Sequence, residues 1–122
     1  MSSYKTEQET FWAGEFGTKY IERNNNAELL SSNINFFTDS LKRVKNFNSC
    51  IEFGANIGMN IRALQTLYPQ VNYHAVEINK EATKILKNTI PVRNIFEGSI
   101  VEFNPVNSWD LVIIKGVLIH IN

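Results

Sequence analysis

The residues best placed to do chemistry sit where a strand gives way to a turn. From 51 to 58 the chain reads Ile-Glu-Phe-Gly-Ala-Asn-Ile-Gly, an apolar strand carrying an acid, Glu52, then small residues, then a helical pattern. Gly54 can take torsions that other residues resist, and Ala55 and Gly58 are small enough for backbone to approach a bound molecule closely. A dinucleotide fingerprint needs glycines at 54, 56 and 59, but the chain has Asn56 and Met59. No Gly-Lys-Ser/Thr phosphate loop follows either. An ordinary strand-to-helix turn shares this outline, and a second acid tips the balance. Glu77 lies about 20 residues further on, at the end of another apolar run. A carboxylate offers two oxygens in one plane, enough to accept both hydroxyl hydrogens of a ribose. A solvated acid near a helix start would gain only ~0.3–1 kcal/mol from the dipole. Following the glycine turn at this distance, the ribose role is the preferred one, with Ile78 packing against the attached base.

The other reactive side chains are few. His120 is the only candidate general base in the C-terminal run, with an ordinary pKa near ~6.5, but a surface or half-buried helix histidine is the preferred reading. His74 alternates with Tyr73 and Ala75 along a strand and reads as structural. Cys50, at a strand start, reads as a small buried residue. Neither histidine has a metal partner at usable spacing, so no metal site is expected.

Helices and strands must hold these groups in place. Residues 6–23 open with a capping-box pattern, Thr6-x-x-Glu9, and put Phe11, Trp12, Phe16 and Tyr20 near one face; Gly14 and Gly17 divide the segment into two helical pieces. The spacing of Leu30, Ile34, Phe37, Leu41 and Val44 predicts a helix over 27–45, capped by Asn26 and closed by Lys42, Arg43 and Lys45. From 48 onward strand and helix alternate. Strands are expected at 50–53, 72–76, 92–96 and 109–114, the last apolar enough for burial on both faces. Helices are expected at 60–68, stopped by Pro69, and at 79–87, capped by Asn79. Repeated β-α-β units give a Rossmann-like α/β three-layer sandwich with a mostly parallel sheet. Residues 1–46 form a helical N-terminal segment and 47–122 the α/β core. The sequence stops just after the fourth strand, so the C-terminal half of such a fold reads as incomplete. That strand would keep an open apolar edge, prone to self-association unless another chain covers it.

Composition narrows the classes. The chain has 122 residues, 12 basic and 12 acidic side chains, and 43% hydrophobic residues. That suits one small core, and the charge balance argues against nucleic-acid binding, which needs a basic excess. No apolar run approaches the ~20 residues that span a bilayer, and the first residues are polar, so a soluble, cytoplasmic chain is expected. A single cysteine allows no internal disulfide.

The run 52–58 resembles the first motif of Rossmann-like S-adenosylmethionine-dependent methyltransferases, acid-x-Gly-x-Gly-x-Gly, with Asn56 replacing the middle glycine. The run 110–121 resembles the fourth-strand motif of that superfamily. The opening, Thr6 through Asn24, and the ending, KGVLIHIN, are similar to methylases associated with pseudaminic acid biosynthesis. The resemblance implies S-adenosylmethionine as cofactor and a sugar-type small-molecule acceptor. It implies cofactor contacts at Glu52, Gly54, Ala55, Asn56, Gly58, Glu77 and Ile78. It places Ser99 and Ile100 beside the adenine, where the family often has an Asp, and Lys115 and Gly116 at the methionine end. Trp12, Phe16, Tyr20 and Arg23 would form a lid, with Arg23 or Tyr20 reaching the methionine carboxylate; Phe11 and Phe16 are preferred as packing residues. His120 would remove the acceptor proton. Two other classes stay open: a non-catalytic nucleoside-binding module that depends on a partner chain, and a nicotinamide-dependent half-domain, disfavoured by Asn56 and Met59.

Overall fold

The computed structural model describes residues 7–14, 27–105 and 107–114. Its elements run α1 (Glu7–Ala13), α2 (Ala27–Ser40), β1 (Ser49–Phe53), α3 (Met59–Leu67), β2 (Asn72–Glu77), α4 (Lys80–Leu86), β3 (Ile95–Glu97) and β4 (Leu111–Ile114). The four strands form one parallel sheet in the order β3-β2-β1-β4. The chain steps outward from β1 through β2 to β3, then returns to the other side of β1. The order in which the chain adds strands therefore reverses between β1 and β4, and ligands of open α/β sheets bind beyond the carboxyl ends of strands at such a point.

The Rossmann-like α/β expectation holds, and the two faces of the sheet differ. Cys50, Tyr73 and Ala75, with Ile95, Leu111 and Ile113, pack into one core with Phe37 and Leu41 at the end of α2, Ile61, Ala63 and Leu64 of α3, and Leu86 of α4. On the opposite face Ile51 and Val76 are buried. There the cover is a layer of rings: Phe103 lies 5.9 Å from Phe53 and 5.3 Å from Phe96, and Trp109 lies 6.0 Å from Phe103 and 5.5 Å from His74. His74 is thus part of this packing, and burial pulls its pKa below the ordinary imidazole value. Cys50 is buried on the helical face, where desolvation and the nearby Glu52 push its thiol up to about 12.

Several predicted boundaries move. Leu30, Ile34, Phe37 and Leu41 do face the core, but α2 ends at Ser40, and Val44 is 39% exposed. The chain turns at 41–43 so that Phe47 can pack 4.8 Å from Tyr68, which places Lys42, Arg43 and Lys45 beyond the last helical turn. The third strand shrinks to Ile95–Glu97. After Pro91, residues Val92–Asn94 form a 3-10 turn that lets Asn94 donate to the Tyr73 carbonyl at 2.9 Å and to Asn72 Oδ1 at 3.1 Å. Burial of β4 on both faces is not what the structure shows. Leu111 and Ile113 meet the core, whereas Val112 and Ile114 are each 47% exposed, because the loop rings cover only the middle of that face. Asp110, just before β4, accepts from the Asn48 N–H at 2.8 Å and donates its own N–H to Ser49 Oγ at 3.0 Å, stapling the starts of β1 and β4. Thr6, Phe16, Gly17 and Asn26 lie outside the described residues.

Gly58 opens α3 with φ +88, and a Cβ there would come within 2.6 Å of Leu86 Cδ1. Turn and helix α4 thus meet through a missing side chain. Gly58→Ala should lose about 2–4 kcal/mol in urea unfolding, from left-handed strain and overpacking together. In a Leu86→Ala background, the cost of Gly58→Ala should fall by about 1 kcal/mol or more as the clash is relieved. Full additivity would show that the contact does not matter.

Candidate cofactor site

The turn after β1 alternates in handedness. Gly54 has φ 73, Asn56 φ 54 and Gly58 φ 88, so every second residue is left-handed. Asn56 is the one non-glycine among the described residues with positive φ. Asparagine tolerates that region better than most residues, which explains how it replaces the middle glycine of the motif without changing the path. The N–H groups of Gly54 and Ala55 both donate to the Val76 carbonyl, at 2.8 and 3.2 Å, so the turn folds over the end of β2. Ile57 and Met59 anchor its far side, packing with Ala82 of α4 against Leu29 and Leu30 of α2.

Glu77 organises what lies beside it. Its Oε1 accepts from the Asn56 N–H at 2.7 Å, and its Oε2 accepts from the N–H groups of Ile78 at 3.0 Å and Asn79 at 2.8 Å. Burial pushes the carboxyl above its ordinary value, and the three N–H donors partly offset this by favouring the anion. Of about four acceptor directions on a carboxylate, three are used here. The remaining one is on Oε1. Glu77 in this arrangement therefore offers one further acceptor rather than the two that the sequence suggests. The side-chain carbonyl of Asn56, Oδ1, is buried and has no hydrogen-bond partner among the described residues. Such a group costs about 1–3 kcal/mol if left unsatisfied, so a donor is expected to meet it.

Glu52 lies on the helical face, 2% exposed, and its Oε2 accepts from Asn60 Nδ2 at 2.6 Å. It ties the end of β1 to the first turn of α3. Asn79 caps α4 by accepting from the Ala82 N–H at 2.9 Å, worth about 1 kcal/mol. Gly98 donates to the Glu77 carbonyl at 2.8 Å, which brings the loop after β3 alongside the site. Ile78 and Ile100 are half-buried there. Ser99 is buried, accepts from the Val101 N–H at 3.1 Å and donates its hydroxyl hydrogen to Glu9 of α1.

Glu52, Gly54, Ala55, Asn56, Gly58, Glu77, Ile78, Ser99 and Ile100 thus gather around the ends of β1, β2 and β3. Trp12 falls within α1, its side chain outside what is described; Tyr20, Arg23, Lys115, Gly116 and His120 also lie outside the described residues. The sequence reads Glu9 only as a capping-box acid and points neither to its contact with Ser99 nor to that of Asn79 Nδ2 with the Ala13 carbonyl at 3.4 Å. Both are long-range, and no local pattern announces them. Among the described residues, no cluster of three or more His, Cys, Asp or Glu side chains could hold a metal ion, and no helix is long and apolar enough to cross a membrane.

Solved structures similar to this chain include methyltransferases. A sugar N-methyltransferase from Streptoalloteichus superposes with a TM-score of 0.62 at 12% identity, covering 94% of this chain and 43% of its own. The plantazolicin methyltransferase bound to S-adenosylhomocysteine gives 0.59 at 16% identity, covering 88% and 44%. An amino pentose methyltransferase from Micromonospora echinaspora, bound to S-adenosylmethionine, gives 0.59 at 12%, covering 94% and 44%. The chain carries the Rossmann-like α/β fold seen in these structures. It spans about two fifths of the length of those structures, and its sequence matches no protein-family model and no curated protein.

The left-handed turn makes a direct prediction at position 56. Asn56→Gly should keep or slightly raise stability, because the backbone path is retained and the orphan carbonyl is removed. Asn56→Ala should fall about 1–2 kcal/mol below Asn56→Gly in thermal or urea unfolding. Equal stability of the two variants would show that position 56 does not need a left-handed residue.

Proposed function

We propose that this chain is the cofactor-binding part of an S-adenosylmethionine-dependent methyltransferase acting on a sugar-type or other small-molecule acceptor. The observation that carries the reading is the bond from the Asn56 N–H to Glu77 Oε1, which joins the glycine turn to the acid at the end of β2. Glu77 Oε1 keeps one acceptor direction, and the side-chain carbonyl of Asn56 is buried with no partner among the described residues. Two neighbouring hydroxyls of a ribose would supply the two donors, one to Glu77 Oε1 and one to Asn56 Oδ1. Ile78 and Ile100 would flank the adenine, and Gly54, Ala55 and Gly58 would let the turn approach the amino acid end.

When bound, the cofactor supplies a sulfonium that already activates the methyl group. The protein's task is then to hold that group in line with an acceptor and to exclude water. In this reading Glu52 works indirectly, by fixing Asn60 and the start of α3. Trp12, Tyr20 and Arg23 are proposed as the lid and the methionine-carboxylate contacts, Lys115 as a lining residue and His120 as the base. A sugar acceptor is supported by fold likeness to the sugar methyltransferases. The pseudaminic acid pathway is supported by the resemblance at 6–24 and 115–122 alone. The second reading, a binding module that needs a partner chain, is favoured by the exposed Val112 and Ile114 on β4.

Glu77→Ala should weaken S-adenosylhomocysteine binding about tenfold or more in calorimetry, the loss of a hydrogen bond to a charged acceptor. Glu77→Gln, a milder change, should also weaken it while circular dichroism reports the fold. For the parent, affinity should drop on acidification as Glu77 takes up its proton, starting above the ordinary carboxylate range because burial raises its pKa. Unchanged affinity in both folded variants would remove Glu77 from the site.

A further inference from the structure

Three side chains are linked across the amino ends of β2 and β3, and one backbone carbonyl fixes the direction of every bond between them. The Tyr73 carbonyl can only accept, so the Asn94 atom that meets it at 2.9 Å is the amide Nδ2. The second hydrogen of that Nδ2 goes to Asn72 at 3.1 Å, which makes the atom it meets there the Asn72 Oδ1. Asn72 therefore turns its Nδ2 toward His74 Nε2, 3.2 Å away. An amide nitrogen donates and does not accept, so Nε2 carries no hydrogen and the ring is neutral, with its hydrogen on Nδ1. Asn94 is 9% exposed and stands where the chain enters β3, an edge strand of only three residues.

We propose that His74, Asn72 and Asn94 form a proton-operated latch at the start of β3. With the imidazole neutral, Asn94 is held by both of its bonds. A proton on Nε2 sets two donors against each other. Rotation of the Asn72 amide gives the imidazolium an oxygen, but it turns Nδ2 toward Asn94 Nδ2 and breaks that bond instead. Either way acid removes one link, and the latch opens at the amino end of the strand that leads to Gly98 and its bond with the Glu77 carbonyl. The latch does not depend on what the candidate site binds. Among the described residues no charged group bonds to the ring: its register partner on β1 is Ile51, and its aromatic neighbour is Trp109. Glu52, Glu77 and Glu97 belong to the helical face, where they bond to Asn60, Asn56 and Thr83, and Arg93, Glu102 and Asp110 are exposed. Burial already holds the imidazole below its ordinary value. The unfolded chain thus takes up this proton more readily, so the contribution of His74 to stability is complete above the ordinary imidazole range and falls as the pH drops through it. Glu77 works in the opposite sense, because its pKa is raised and its proton favours the folded state.

Nitrogen NMR of the His74 ring reads the tautomer in the parent chain, with no substitution needed. The neutral ring should carry its hydrogen on Nδ1 and titrate below the ordinary value near ~6.5. Hydrogen exchange of the Ile95, Phe96 and Glu97 amides, corrected for the intrinsic effect of pH, reads the latch itself. Protection in the parent should fall about threefold or more between roughly pH 8 and pH 5. His74→Phe keeps a ring against Trp109 and cannot titrate, so its protection should stay level over the same range. In Asn72→Ala the histidine still titrates, but exchange in β3 should no longer follow it, whereas a ring that acts only through its packing would keep that link. A ring with its hydrogen on Nε2, a titration at or above the ordinary value, or an Asn72→Ala variant with the full pH response of the parent overturns the latch. If His74→Phe does not fold, the tautomer of the parent and the Asn72→Ala profile decide.

Discussion

The buried carboxylate of Glu77 is the point on which the local structure turns. Three backbone N–H groups from two different segments converge on it, from Asn56 in the turn after β1 and from Ile78 and Asn79 after β2. Each of those N–H groups sits where the backbone leaves regular structure and would otherwise need water or another acceptor. The carboxylate satisfies all three, and in doing so fixes the distance between two strand ends. The left-handed turn and the start of α4 meet at that attachment, and the loop after β3 joins them through the Glu77 backbone carbonyl. The bonds that hold the side chain rigid also leave its last acceptor direction in a defined place, which the proposed recognition of a ribose would use.

Much of this frame is legible in the sequence. The run from Glu52 to Gly58 and the acid at Glu77 are local patterns, set by strand ends and turn torsions, and the structure brings them together. The Asn79 cap is equally local. The misplaced features are those decided at a distance. The packing of Phe47 on Tyr68 ends α2 before Val44, and the side-chain bonds of Asn94 turn the expected start of β3 into a 3-10 turn. Apolar content alone suggests that β4 is buried on both faces, because hydrophobicity records what a strand tolerates and not what covers it. The union of Glu9 with Ser99 crosses most of the chain, and nothing in the spacing of either residue points to the other.

Asymmetry of the sheet bears on what the chain does. Helices cover one face, and aromatic side chains from the loop before β4 cover the middle of the other. The groups proposed to meet the nucleoside all lie toward the β1–β2–β3 side, where packing is dense. The exposed Val112 and Ile114 lie on the β4 side, toward the switch point at which an acceptor would approach the transferred group. In the proposed reading, recognition of the nucleoside and completion of the acceptor side are separable. The first depends on residues that are already fixed by hydrogen bonds, and the second on surfaces that β4 leaves open.

The central claim is that the turn and Glu77 form a site for an adenosine-bearing thioether rather than a dinucleotide. Calorimetric titration of the folded chain with S-adenosylhomocysteine, with NAD run in parallel, tests it most directly. The expected result is saturable binding of the first with no binding of the second. Preference for NAD, or no heat of binding from S-adenosylhomocysteine by a chain shown to be folded, would contradict it.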